Sequence, residues 1–385
     1  MGAMIEKRTY EVTVLSPVHI GSGQKLSAYD LAVIEGRLWR FDVDKVSERL
    51  IADRKLLNRY LNEGAQVLAA WPEDVRRSCA RYHLPWKGAL PKDAREHISD
   101  PLGRFYLPGT SIKGAIRTAI VWAYHYGIPK EAKKRQIDLI GVLPQKGRPR
   151  ARKNEAGVQI EHIILGSTPN RDILRALHVT DSGSLSPSDV RMFPVRVAVQ
   201  EPNLRLTWFV RPGVHVSQPA DATLIWVEAI PRGAKTRVTI TLDRFLLEGQ
   251  TLADNPVAYD PAKQLGFDRK KRFLANWEQR CNVMAQSIAR EELAWAKTYH
   301  FDAFVKFYTW LLGDMKKHPQ SVYLTVGWGV GWRGKTAVEP LGESAVQKAR
   351  DMYQLGRGDI FPKTRRVIFQ RGRPYAPLGW IRLDP

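Results

Sequence analysis

Ten residues, Gly327-Trp-Gly-Val-Gly-Trp-Arg-Gly-Lys-Thr336, hold four glycines, two tryptophans and two cations, and two chemistries compete for them. Read literally, Gly329 to Thr336 satisfies the phosphate-loop pattern G-x-x-x-x-G-K-[ST], in which Lys335 would reach nucleotide phosphates and Thr336 magnesium. Such a loop needs a helix starting at the Lys-Thr pair, so that its amides cradle the phosphates. Here Ala337-Val338-Glu339-Pro340 follows, and a proline that early argues against the helix. The magnesium-holding carboxylate of a later strand is also missing, because the strand pattern Val367 to Gln370 ends in Gln. The second chemistry is nucleic-acid binding. Gly327, Gly329 and Gly331 let a backbone lie against a sugar-phosphate chain and aim amides at it. Trp328 and Trp332 stack on bases, while Arg333 and Lys335 neutralise phosphates. A tight turn over two buried tryptophans, with no ligand, is the plain alternative.

His19 and Asp30 form a second candidate, a pair suited to general acid–base or metal-dependent cleavage of RNA. Against it, Asp30 abuts the strand-like Leu31-Ala-Val-Ile34, where a carboxylate commonly closes a turn. His19 lies on an apolar stretch, which suits a hydrogen-bonded structural histidine. The reading is therefore a chain without catalytic residues, metal ligands or cofactor. Cys79 and Cys281 are too far apart for metal-ligand spacing and imply no disulfide framework; they read as core fillers in a reducing cytoplasm.

Charge narrows the partners. Sixty Lys and Arg stand against 39 Asp and Glu, a formal +21 with a pI near 10. Such a surplus must lie on the surface and attracts polyanions, either nucleic acid or an anionic membrane. No apolar stretch approaches the roughly 20 residues that span a bilayer. The opening MGAMIEKRTYEV lacks the apolar core of a signal peptide, so no membrane is expected.

The elements that must carry these residues follow from periodicity. Arg8 to Leu15 alternates as a half-buried strand, and Leu31 to Ile34 and Arg37 to Phe41 flank the turn Glu35-Gly36. Residues 44–80 have helical spacing, and 81–104 read as a Pro- and Gly-rich loop. In Leu107 to Tyr126, Thr110 or Ser111 caps a helix whose Ile112, Ile116 and Ile120 face the core. Lys113 and Arg117 form an adjacent basic stripe. Residues 129–155, with nine Lys and Arg, read as a mobile basic hairpin or loop. A strand pair is expected near Leu177 to Thr180 and Val195 to Val199. Ala222 to Ile230 and Arg237 to Leu242 read as antiparallel strands. Phe273 to Tyr299 and Phe301 to Lys317 read as long helices, Val322 to Val326 and Arg366 to Gln370 as strands, and Ser344 to Leu355 as a short helix. Without strict βα alternation the class is α+β. A boundary near residue 200 separates 1–200, with a helical insertion (about 44–104) and the basic loop, from 201–385, with the long helices and the glycine-rich loop.

Three motifs in order carry a family resemblance: Leu15-Ser-Pro-Val-His-Ile-Gly-Ser-Gly23, Tyr106-Leu-Pro-Gly-Thr-Ser-Ile-Lys-Gly-Ala-Ile-Arg-Thr118, and the loop from Gly327 to Lys335. The chain resembles the RAMP superfamily of CRISPR-associated RNA-binding proteins. Its closing Pro377-Leu-Gly-Trp-Ile-Arg-Leu383 and its length look most like the type III-A (Csm) subunit that caps the 3′ end of the guide RNA. That resemblance implies two ferredoxin-like (RRM-type) modules gripping guide RNA. It implies RNA contacts at His19, Gly21, Ser111, Lys113, Arg117 and the Gly327 loop. It also implies a non-catalytic place in a target-RNA-cleaving complex, beside a RAMP backbone subunit and a small helical subunit. Target RNA and a recruited host nuclease are further partners in that picture. A guide-processing or target-cleaving ribonuclease is the competing function.

Overall fold

The computed structural model describes residues 5–142, 157–186, 189–248, 260–356 and 358–385. Strand β1 (Ile5–Val14) is followed by β2 (Gly21–Leu26), β3 (Leu31–Ile34) and β4 (Arg37–Phe41). Helices α1 (Val43–Leu50), α2 (Arg54–Glu63) and α3 (Glu73–Cys79) then lead to β5 (Ala80–Pro85) and β6 (Ala94–His97). Next come α4 (Gly109–Gly127), α5 (Lys130–Asp138) and α6 (Val158–Ile164). Strands β7 (Leu177–Val179), β8 (Arg191–Glu201), β9 (Arg205–Arg211), β10 (Val214–Val216), β11 (Ile225–Ala229) and β12 (Lys235–Asp243) occupy the middle of the chain. Helices α7 (Arg244–Glu248), α8 (Pro261–Leu265), α9 (Lys271–Leu274), α10 (Trp277–Thr298) and α11 (Asp302–Lys317) precede β13 (Val322–Thr325). Helix α12 (Glu343–Tyr353) and strands β14 (Thr364–Gln370), β15 (Arg373–Ala376) and β16 (Trp380–Asp384) follow.

The strands form three sheets, and the class is α+β as expected. The first sheet has the order β13-β16-β1-β12-β7, with β16 seated between β1 and β13. Alternation in β1 explains its place there: Tyr10, Val12 and Val14 are buried on the helix-covered face. Tyr10 pairs across to Val238, and Val12 is flanked by Thr236 and Leu383. The second sheet runs β10-β9-β8-β11-β6-β2, with β14 also on β8 and β15 on β14. The third, β3-β4-β5, has its own small core of Trp39, Phe41, Val46, Leu50, Tyr60 and Leu68 against α1 and α2. Burying a large apolar side chain contributes about 1.5–3 kcal/mol, so this satellite is self-supporting in part. Residue 200 lies inside β8, and both larger sheets take strands from either side of it.

Helix α4 buries Ile112, Ile116 and Ile120 as its four-residue period predicts, and it packs on α10. Its cap differs from expectation. Neither Thr110 nor Ser111 caps it; the helix starts at Gly109, whose N–H donates to Asp181 Oδ1 at 2.7 Å. A Cβ at position 109 would sit 2.4 Å from the carbonyl of Val179, so only glycine lets the helix start against β7.

Other departures are local. Residues 81–104, expected as loop, contain β5 and β6, and the loop expected from Ser16 to Asp30 contains β2. Strands do form at 177–179 and 191–201, but β7 pairs with β12 while β8 pairs with β9, β11 and β14. Likewise β11 and β12 stand in different sheets. Of the basic run at 129–155, Lys130–Asp138 is helix α5 and 143–155 lies outside the described residues. Both cysteines are buried and free, as core fillers are.

Candidate nucleic-acid interface

The glycine-rich loop leaves β13 and is stitched to the first motif of the chain. Val326 N–H donates to the carbonyl of Gly379, and Trp328 N–H donates to the carbonyl of His19 at 2.8 Å. Between them Gly327 adopts φ +79°, and a Cβ there would lie 2.3 Å from the His19 carbonyl. Two motifs far apart in sequence therefore meet at one backbone hydrogen bond.

That bond fixes Trp328, half-buried over an apolar patch of Val195, Val227, Ile368 and Leu378. The His19 ring meets its edge at 5.9 Å and 89°. Two guanidiniums stack on the indole, Arg366 at 4.5 Å and Arg95 at 4.8 Å from the ring centroid. Arg366 comes from β14 and Arg95 from β6, a strand beside β11. Lys335, exposed, is close enough to Arg366 to feel its charge. None of the three has a carboxylate within ion-pair distance among the described residues, and Arg366 Nε is buried without a hydrogen-bond partner. Burial, and then Arg95, makes Arg366 less basic than an ordinary guanidinium; burial, and then Arg366, does the same to Lys335. Two like charges over an aromatic ring, with a third cation near one of them, are matched by phosphate and a stacked base.

The residues singled out from sequence divide into two groups. Trp328 is the centre of this cluster, and Lys335 lies near its Arg366. Gly329 packs: a Cβ there would lie 3.1 Å from the Leu378 side chain. Gly331, at φ +78°, has nothing within 4 Å and is the loop glycine that faces open space. Trp332 is half-buried, its edge toward Phe361 at 4.9 Å. Arg333 is already engaged by Glu291 at 2.5 Å, Glu292 at 2.9 Å and Glu339 at 3.1 Å. Arg117 is likewise held by Glu161 and Asp172, both at 2.6 Å. Lys113 and Ser111 lie half-buried on α4, and burial lowers the Lys113 pKa. Gly21 opens β2, where a Cβ would stand 3.3 Å from His19 Nε2.

His19 is a supporting residue. It is 2% exposed, its Nδ1 donates to the Glu228 carbonyl at 2.7 Å, and burial pulls its pKa down to about 4, so the ring is neutral. Asp30 accepts from Ser27 N–H at 2.7 Å, Ser27 Oγ at 2.8 Å and Arg40 Nη1 at 2.9 Å. It is a turn carboxylate, and it shares no partner with His19. Arg40 continues to Glu96 at 3.0 Å and stands 4.0 Å from Glu228, a fully buried carboxyl that also accepts from Tyr82 OH and His97 N–H. This polar network ties the third sheet to the second.

The phosphate-loop reading fails structurally. After Lys335 and Thr336 comes a single 3-10 turn, Glu339–Leu341, and the next α-helix starts at Glu343. Arg95 and Arg366 were not legible as site residues. Arg366 sits in a strand that sequence reasoning did find, where a paired Arg365-Arg366 in an apolar run was the available signal.

The fold agrees with the comparisons to known proteins. A model of the RAMP superfamily matches residues 11–333, and the chain belongs to that family. It is similar to the CRISPR system Cms protein Csm5 of Methanocaldococcus jannaschii, 22% identical over 408 residues, 96% of this chain and 87% of that one. A Streptococcus thermophilus protein of the same name is 23% identical over 163 residues, 37% of this chain and 44% of the other. Among solved structures, a chain of the cryo-EM Csm–crRNA–target RNA ternary complex of a type III-A CRISPR-Cas system superposes with a TM-score of 0.65. It is 23% identical, with 98% of this chain and 100% of that one covered. The crystal structure of T. onnurineus Csm5 gives 0.61 at 22% identity, covering 96% and 99%.

Proposed function

We propose that the chain is a guide-RNA-binding subunit of a type III-A CRISPR ribonucleoprotein. In this reading it seats the 3′ region of the guide, caps the backbone filament and does not itself cut RNA. The carrying observation is Trp328 with two guanidiniums over its ring, neither with a carboxylate partner among the described residues, and Lys335 near Arg366. The similarity to Csm5 proteins over nearly the whole chain supports the choice of complex. In this reading two ferredoxin-like modules grip the guide, each drawing strands from both sides of residue 200, and the neighbours would be a RAMP backbone subunit and a small helical subunit. Target RNA and a recruited nuclease complete the set. No observation favours the ribonuclease alternative, because His19 and Asp30 are each committed to separate structural bonds.

The test is a salt titration of guide-RNA binding. Affinity should fall by about 0.7 log units per log of salt for each phosphate neutralised on a single strand. Arg95→Glu with Arg366→Glu should flatten that slope and weaken binding regardless of sequence. A wild-type slope near zero would remove the proposal.

A further inference from the structure

A second tryptophan repeats the chemistry of Trp328 elsewhere on the surface. Trp310, on α11, is 37% exposed, and the guanidinium of Arg232 lies 4.0 Å from its ring centroid. Arg232 projects from the turn between β11 and β12, next to the Val18–Ile230 bridge that anchors the first motif. The two border an open groove of about 520 Å³ with Lys306 and His300 on one wall and Arg373 of β15 on the other. These four cationic or titratable groups are exposed, and none has a carboxylate within ion-pair distance among the described residues. Asp302 is the groove's one carboxylate.

Two of the five guanidinium–indole stacks among the described residues come with a counter-ion. Arg76 over Trp39 also pairs with Glu35, and Arg365 over Trp295 pairs with Glu292. Only around Trp328 and Trp310 do the arginines stacked on tryptophan lack one among the described residues. The two places are also joined. Tyr375 lines the Trp310 groove and packs on the apolar patch that Trp328 covers.

We propose that this groove is a second RNA-stacking platform, in which Trp310, braced by Arg232, receives a base while Lys306 and Arg373 hold flanking phosphates. It rests on the guide-RNA reading and extends that footprint past Tyr375. A protein segment fits less well. Strand addition at β15 meets Pro374, which has no N–H, in a strand of only four residues. A docked helix needs an apolar trough, and this one is rimmed with positive charge. Stacking on an aromatic is indifferent to base identity, which suits a subunit that must accept guides of any sequence.

The experiment uses the full chain with two probes, a labelled guide-length single-stranded RNA and a short oligoribonucleotide able to fill the Trp328 site alone. Trp310→Ala and Arg232→Glu should each weaken the long RNA roughly 5- to 150-fold and leave the short one unchanged. Arg232→Glu with Arg373→Glu lies wholly on the surface and keeps the test valid should Trp310→Ala unfold. If Arg95→Glu and Arg366→Glu weaken the long RNA but the groove variants do not, the second platform is wrong and the guide-RNA reading stands. If neither set matters, both fall. Groove variants that bind RNA normally yet fail to assemble with a neighbouring subunit would make this a protein interface and overturn the proposal.

Discussion

Glu228 offers a stability test whose sign separates two opposing forces. Its carboxyl is 1% exposed, and burial raises its pKa from 4.5 to about 7 against the pull of Arg40. A carboxyl whose folded pKa is raised is stabilising in its protonated form; that contribution is complete below 4.5 and is lost as pH rises through 7. At 1.36 kcal/mol per pH unit, the interval from 4.5 to about 7 corresponds to about 3 kcal/mol. Glu228→Gln keeps the shape and the acceptor for His97 N–H but cannot ionise. His19 and His97, whose pKa values burial lowers to about 4, lose stability as pH falls below 6.5 in both proteins and so cancel in the comparison. Denaturant melts at pH 5 and pH 8 should show the variant gaining up to about 3 kcal/mol on wild type at the higher pH. A gap that stays constant, or that shifts toward wild type as pH rises, would mean that Arg40 outweighs burial and that the carboxylate is ionised throughout.

Three further outcomes are expected. Asp30→Ala strips one of three carboxylates from around the buried Arg40, leaving Glu96 and Glu228, and should cost about 1–3 kcal/mol, while the assembled complex still cuts target RNA at every position; loss of one cut with normal melting would restore Asp30 as catalytic. Gly327→Ala should lower the melting temperature sharply, because its Cβ meets the His19 carbonyl, whereas Gly331→Asn should melt normally and weaken RNA binding; equal melting of the two would refute the division of the loop. Calorimetry should detect no micromolar ATP binding by the wild type, and binding that Lys335→Ala abolishes would reinstate the phosphate loop.

Strong periodicity was readable in the sequence. The alternation in β1 and the four-residue stripe of α4 depend on local burial, and both elements are found where the residues place them. Strand partners were not readable, because β7 and β8 each pair with strands whose register is set across the whole fold. Short strands such as β6 escaped for a related reason: Ala94 to His97 carries charge at two of four positions and is held by neighbours rather than by propensity. The interface shows the same split. Trp328 stood out by composition, but Arg117 and Arg333 looked free until their carboxylates were located at Glu161, Asp172, Glu291, Glu292 and Glu339. Charge in a sequence has no counter-ion attached; pairing exists only in three dimensions. Arg95 and Arg366, stacked on Trp328 with no carboxylate partner among the described residues, became visible for the same reason.

The seat of β16 bears on the order in which the molecule can be made. β1 leaves the ribosome long before β16, for which one of its edges is reserved. β13 waits at the same gap, since it reaches β1 only through β16. Until β16 is made the first sheet therefore carries a vacant slot with two unsatisfied edges, a template for any passing strand. The glycine-rich loop hangs from β13, and Val326 and Trp380 fasten it and the first motif to this closing segment. The arrangement around Trp328 accordingly forms only after β16 does, and a nascent chain still lacking residues 380–384 would hold the aromatic and its cations without the frame that aligns them.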